Sequence, residues 1–343
     1  MTHLNKRRVG QTKLEVPVLG LGTAPLGGIY ARVEEPDAQA TFRAAWEGGL
    51  RLYDTAPWYG LGRAEHRTGA ALRDLPRDEF TLTTKVGRVL RAPRDRGTFK
   101  SAVWQAPLEF EVHHAFDYDS IMRSYEDSLQ RLGINRIDAL YIHDLDRGYF
   151  PDEDTLTGKF RELESSGYRA LEELKRTGEV SAIGAGINEP GFIARFLDVM
   201  SLDLFLVASR YTLLEQSIYQ SEIVPAGARG ASVVVGGVFN SGVLATGPSD
   251  TAKYEYASAP AHVIERVTHL TRVAEAHGIR LAAAALQFPL AAPEVASVVF
   301  GAANEREVSD NLELFNSVVP AAFWSDLRAE GLVEADVPLP GGA

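Results

Sequence analysis

Two rhythms alternate along the chain. Short, nearly unbroken apolar runs occupy 18–21, 50–53, 80–85, 137–143, 180–185, 204–208, 232–238 and 295–300. Between them lie longer stretches with apolar residues three and four apart, the spacing of helices with one buried face. These predict helices over 37–46, 63–73, 119–132, 159–177, 190–200, 217–229, 262–277, 281–291 and 304–315, with a terminal helix over 321–330. Gly48-Gly49, Gly133 and Gly178 close three of them, and Asp119 is expected to cap a fourth. Strands that are apolar throughout belong in a parallel sheet covered on both faces.

Eight strand–helix units predict a closed (β/α)8 barrel rather than an open doubly wound sheet. An open sheet would lead with G-x-G-x-x-G, and Gly20-Leu-Gly22 has no third glycine at that spacing. Residues 7–19 read as a hairpin, turning at Gly10-Gln11-Thr12 and capping the barrel bottom. The segments 87–118 and 144–158 read as long loops, and 338–343 as a frayed tail. No shift in composition divides the chain, so 1–343 is expected to be a single barrel domain with extra C-terminal helices.

Charge and composition narrow the function. Lys plus Arg number 35 against 46 Asp plus Glu, a formal charge of −11, which argues against nucleic-acid and anionic-membrane partners. The chain has no cysteine, which excludes disulfides, thiolate catalysis and Cys-ligated zinc. No pair of histidines stands at ligand spacing near an acid, so no metal is expected. The basic N-terminus lacks an apolar segment after it, and the most apolar stretch, 281–292, is too short for a membrane span. A cytoplasmic protein, monomeric or homodimeric, is expected.

The chemistry gathers where strands end. Asp54, Lys85 and His143 each terminate an apolar run, and Tyr59 follows Asp54 by five residues. In a barrel these ends share one mouth, with neighbouring strands about 5 Å apart. A lone Asp–Lys pair there would be a rim brace; four polar residues on one face argue for catalysis. Free tyrosine titrates near 10, so Lys85 is expected to lower Tyr59 toward a useful range, with Asp54 as the counter-charge of Lys85. His143 would orient the substrate oxygen. Such a set moves a proton to or from an oxygen, and redox chemistry would require a nicotinamide, since no side chain donates hydride.

These residues carry a resemblance. Gly20-Leu-Gly-Thr23, Asp54-Thr-Ala-x-x-Tyr59-Gly60, Thr84-Lys85, Ser128-Leu-x-Arg-Leu-Gly133, Tyr141-Ile-His143 and Gly301…Asn311-Leu are similar to motifs of the aldo-keto reductase family, over nearly the whole chain. The resemblance implies a TIM barrel with NAD(P) across its C-terminal mouth and a catalytic tetrad of Asp54, Tyr59, Lys85 and His143. It also implies cofactor contacts from Gly22, Thr23, Asp54, Asn188, Tyr211, Gly237, Phe239, Asn240, Ser241, Gly242, Leu244, Gly301, Ala302, Arg306, Glu307 and Asn311.

The chain departs from the family pattern in three places. Gly184-Ala-Gly-Ile-Asn188 stands where Ser-Asn is usual, leaving Asn188 to hold the carboxamide. Ala208 replaces a common Gln, while Tyr211 remains as the ring expected to stack on the nicotinamide. Gly301 and Glu307 occupy positions where NADP-using members carry cations, so NAD is the expected cofactor, with NADP possible through Arg306.

Gly184 to Glu189, Gly236 to Gly242 and the 144–158 loop resemble the branch containing aldose 1-dehydrogenases and pyridoxal 4-dehydrogenase. That implies oxidation of an aldose (L-fucose, D-arabinose or L-galactose type) at C1 to its lactone, with pyridoxal oxidation or general aldehyde reduction as alternatives. Trp58, Tyr59, Trp104, His143 and Asp144 are the expected substrate contacts, Trp58 as one wall. A non-catalytic subunit sensing nicotinamide would be expected to carry a damaged tetrad, and this one is complete.

Overall fold

The computed structural model describes residues 2–29, 31–95, 99–101, 103–249, 251–255 and 257–342. Eight parallel strands close a barrel in the order β3 (Leu19–Gly22), β4 (Leu52–Asp54), β5 (Thr81–Val86), β8 (Ala139–Ile142), β9 (Ala182–Ile187), β10 (Leu204–Ala208), β11 (Ser232–Gly236) and β14 (Val295–Gly301), which pairs back onto β3. All eight expected strands are present. The antiparallel hairpin β1 (Lys6–Arg8) and β2 (Glu15–Pro17) precedes them. The Arg7 guanidinium donates to the carbonyls of Leu290, Ala292 and Val295, and Gly10 N donates to Ser232 Oγ. Those acceptors lie at or before the starts of β14 and β11, so the hairpin does cap the bottom.

Strand side chains alternate between barrel interior and helix-covered exterior. Leu52, Ala139, Tyr141, Ala182, Leu204, Leu206 and Val234 pack in an inner cluster that includes Val9 and Val16 of the hairpin. Their neighbours Tyr53, Leu140, Ile142, Ile183, Phe205, Val207, Val233 and Val235 face the helices. The same parity governs the upper rim. Asp54 is two residues past Leu52, Lys85 three past the outward-facing Leu82, and His143 two past Tyr141, so all three point inward at the mouth.

The covering helices are α1 (Glu35–Glu47), α2 (Arg63–Leu72), α3 (Tyr118–Leu132), α4 (Glu153–Glu162), α5 (Tyr168–Thr177), α6 (Phe192–Leu197), α7 (Val224–Ala228), α8 (Val243–Thr246), α9 (Ala261–Ala276), α10 (Leu281–Gln287), α11 (Glu305–Asn316) and α12 (Ala321–Ala329).

Several expectations are corrected. The 87–118 segment holds an antiparallel hairpin, β6 (Arg88–Arg91) with β7 (Glu111–His114), where only loop was expected. Gly87 makes the sharp entry from β5: its φ is +96°, and a Cβ there would lie 2.4 Å from the Phe116 ring. Helix α3 is capped by Asp117, which accepts from Ser120 N at 3.0 Å, rather than by Asp119. Helix α4 begins inside the expected 144–158 loop, where Asp152 accepts from Thr155 N. The tail is not frayed up to residue 342: Val337 and Leu339 are buried and a short turn spans Pro340–Gly342. Lys253–Tyr254 and Ala257–Ser258 form a further small strand pair, β12 and β13.

Candidate active site

At the barrel mouth, Lys85 Nζ donates to Asp54 Oδ2 at 2.7 Å and to the Thr55 carbonyl at 2.9 Å. Thr83 Oγ1 donates to the other Asp54 oxygen at 2.7 Å, so the buried carboxylate is satisfied on both sides. Tyr59 follows β4 through a turn in which its N–H donates to the Ala56 carbonyl. Its half-buried ring centre lies 4.6 Å from Lys85 Nζ and 5.8 Å from the His143 ring. All four expected catalytic side chains therefore converge.

His143 Nε2 is 3.2 Å from Asp144 Oδ2, and Asp144 also accepts from Arg88 Nη2 at 2.8 Å. Asp144 holds a left-handed backbone, φ +41°, which turns its carboxylate back under the histidine. Burial would raise the Asp144 pKa, but His143 and Arg88 hold it well below the usual carboxylate range. Burial and the Arg88 charge push His143 down to about 3, against the pull of Asp144, so the imidazole is neutral at working pH.

Tyr59 behaves differently from the expectation. Burial raises its pKa well above 10, and the Asp54 and Asp144 carboxylates raise it further. The cation that opposes them is Arg88. Lys85 is paired with Asp54 at contact distance, so the pair offers the phenol little net positive charge. Tyr59 is thus a neutral proton donor at neutral pH.

Aromatic rings enclose this centre. Trp58 packs edge-on to Trp104 at 4.9 Å, His143 at 5.9 Å and Tyr149 at 5.7 Å. Trp104 reaches in from the segment between β6 and β7, which is tied by Gln105 N to the Gly28 carbonyl at 2.7 Å. The expected substrate contacts Trp58, Trp104 and Asp144 are thereby adjacent to Tyr59 and His143. Of the polar loop residues, Asp117 is a helix cap, and Arg147 faces Glu153 and Glu189.

The expected cofactor residues spread over the arc from β9 through β14 to β3. Gly22 pairs with both Asp54 and Gly301, which sets those three positions side by side. Thr23 and Thr55 are buried with unpartnered hydroxyls beside Asp54, and Gly237, Asn240, Ser241 and Gly242 all have left-handed backbones. Buried hydroxyls without partners at the ends of β3 and β4, and a loop of irregular backbone after β11, fit a nicotinamide nucleotide laid across the mouth. Phe239 is half-buried on that loop, and Ala302, next to Gly301, is fully buried. On α11, Asn311 is buried while Arg306 is exposed toward Asp310.

Four of the expected cofactor residues have side chains buried in the core or engaged by other residues of the chain. Tyr211 is fully buried, stacked on Tyr219 at 5.4 Å and packed against Phe288, so its ring faces the core rather than a nicotinamide. Leu244 is an interior residue whose N–H donates to the Phe239 carbonyl. The buried Asn240 amide accepts from Thr212 Oγ1 and donates to the Ser209 carbonyl, so its side chain braces the loop. Asn188 stands just past β9, but its Nδ2 donates to Asp146 Oδ2 at 3.0 Å. Arg88 was missed from the sequence; its one signal is a cation three residues beyond Lys85.

The aldo/keto reductase family model matches residues 18–330. The chain belongs to that family. It is 40% identical over 337 residues to pyridoxal 4-dehydrogenase of Microbacterium luteolum, covering 96% of this chain and 98% of that protein. Against D-threo-aldose 1-dehydrogenase of Pseudomonas sp. it is 38% identical over 325 residues, covering 93% and 95%. In fold, this aldo/keto reductase superimposes on the holo form of an aldo-keto reductase from Bacillus halodurans with TM-score 0.73, at 24% identity and 98% coverage of both chains. It is an oxidoreductase of a family that uses nicotinamide cofactors. Among the described residues no helix is long and apolar enough to cross a membrane, and no cluster of potential metal ligands occurs.

Proposed function

We propose that this enzyme oxidises a neutral cyclic hemiacetal to its lactone, with an aldose oxidised at C1 as the first candidate and NAD as the acceptor. The supporting observation is the convergence of Asp54, Lys85, Tyr59 and His143 at the barrel mouth, beside the Asp144–Arg88 pair, with each charge held against an opposite one. The Asp54–Lys85 and Asp144–Arg88 pairs are each neutral, and so is His143. Such a site offers no spare cation to a phosphorylated or carboxylated substrate.

Bound NAD would accept the hydride leaving the hemiacetal carbon. The chain's own groups do the rest. The Tyr59 phenolate, whose population grows toward alkaline pH, takes the hydroxyl proton, and in the reverse direction the neutral phenol donates it. Neutral His143 orients that oxygen, held by Asp144. Trp58 and Trp104 exclude water around the reacting carbon. Pyridoxal, as its internal hemiacetal, is the second candidate, supported by the 40% identical relative and by the aromatic walls around Trp58.

The NAD preference rests on α11. Asn304 Oδ1 accepts from Glu307 N at 3.0 Å, while Glu307 accepts from Ala303 N at 2.8 Å and from Asn304 Nδ2. These bonds hold a carboxylate at the N-terminus of α11, a charge that would repel a 2′-phosphate bound beside it. A side chain at Gly301 would begin 2.7 Å from the Pro25 ring, so a phosphate-binding cation has no room there. NADH formation from NAD with L-fucose, D-arabinose, L-galactose and pyridoxal tests the proposal, and no signal from any of them refutes it.

A further inference from the structure

Arg88 opens β6 just past the Gly87 turn, and its side chain is 0% exposed. Its Cζ lies 4.0 Å from the Tyr149 ring centre and 4.5 Å from that of Trp58. One nitrogen, Nη2, donates to Asp144; the Tyr149 hydroxyl lies near the guanidinium, but Nε and Nη1 make no hydrogen bond of normal length. A salt bridge serving only the fold would need no more than that single donor. Each further buried N–H left without a partner destabilises the fold. Trp104 Nε1 and His143 Nδ1, both beside Trp58, are buried without partners as well. Two of these three side chains can only donate, so the ligand that satisfies them is rich in acceptor oxygens.

We infer that Arg88 is a substrate-recognition residue, its Nε and Nη1 donating to a substrate oxygen other than the one on the reacting carbon. This rests on the reading of the site as a hydride-transfer centre, and it names the substrates as hydroxylated aldehydes and their hemiacetals. The guanidinium suits the task because it stays charged at any working pH and is flat enough to lie between two rings. A lysine would fill neither the plane nor the second donor position.

The test compares glyceraldehyde with propanal, two three-carbon aldehydes differing in hydroxyl oxygens, as substrates for reduction by NADH. The wild-type enzyme is expected to prefer glyceraldehyde in kcat/KM. Arg88→Lys should lose about tenfold of that preference, the worth of one hydrogen bond, read as the ratio of the two kcat/KM values so that any effect through Asp144 and His143 common to both aldehydes cancels, with NADH binding unchanged. Propanal turnover also reports whether the variant is folded; if Arg88→Lys is not, Arg88→Gln, with a smaller planar donor, takes its place. An unchanged preference, or an equal fall for both aldehydes, overturns the inference. A preference that depends on Arg88 in an enzyme that oxidises no hemiacetal would sink the lactone proposal alone. Failure to reduce either aldehyde would overturn both.

Discussion

The Lys85 ammonium lies 2.7 Å from the Asp54 carboxylate but 4.6 Å from the centre of the Tyr59 ring. That difference decides the electrostatics of the tetrad. Lysine and aspartate form a buried pair of no net charge, and the tyrosine beside them keeps its proton.

Removing the Asp54 charge should therefore act in two ways. Asp54→Asn leaves Lys85 buried without its counter-ion, at a cost of about 3–5 kcal/mol, read by chemical denaturation. It also removes a carboxylate that raises the Tyr59 pKa, so the alkaline rise in oxidation rate should move to lower pH. A profile that stays in place would show that Asp54 does not act on the phenol.

His143 should make the fold acid-sensitive. Its pKa falls from 6.5 to about 3 on folding, so between those values the unfolded chain binds a proton that the native one refuses. The stability present above pH 6.5 is thus lost as pH falls toward 3. Asp146, raised to about 6 by burial and Asp144, works in the opposite sense, so the measurement is a difference. His143→Gln should flatten the decline of Tm between pH 6.5 and 4 relative to wild type.

On α11, Glu307→Gln should raise kcat/KM with NADP relative to NAD by removing the like charge. An unchanged cofactor ratio would place the 2′-position elsewhere.

The barrel was legible because buried parallel strands are apolar throughout, and strand parity then sends Asp54, Lys85 and His143 inward together. What escaped had weaker local signals. The β6–β7 hairpin is two four-residue strands separated by a long Arg- and Pro-containing segment, so its pairing is written in no local pattern. Asn240 and Tyr211 look like site residues by position, yet Thr212 and Tyr219 claim them, contacts that only the folded chain reveals. Arg88 was hidden for the same reason, its partners Asp144, Trp58 and Tyr149 lying far off in sequence.

The most direct measurement is NADH formation by wild type and Tyr59→Phe, with NAD and either an aldose or pyridoxal, alongside NAD binding by each protein. The account predicts lactone and NADH from the wild type, a loss of about 10²–10⁴-fold in the variant, and unchanged NAD affinity. A variant that keeps full turnover, or a wild type that oxidises none of these hemiacetals, would contradict it.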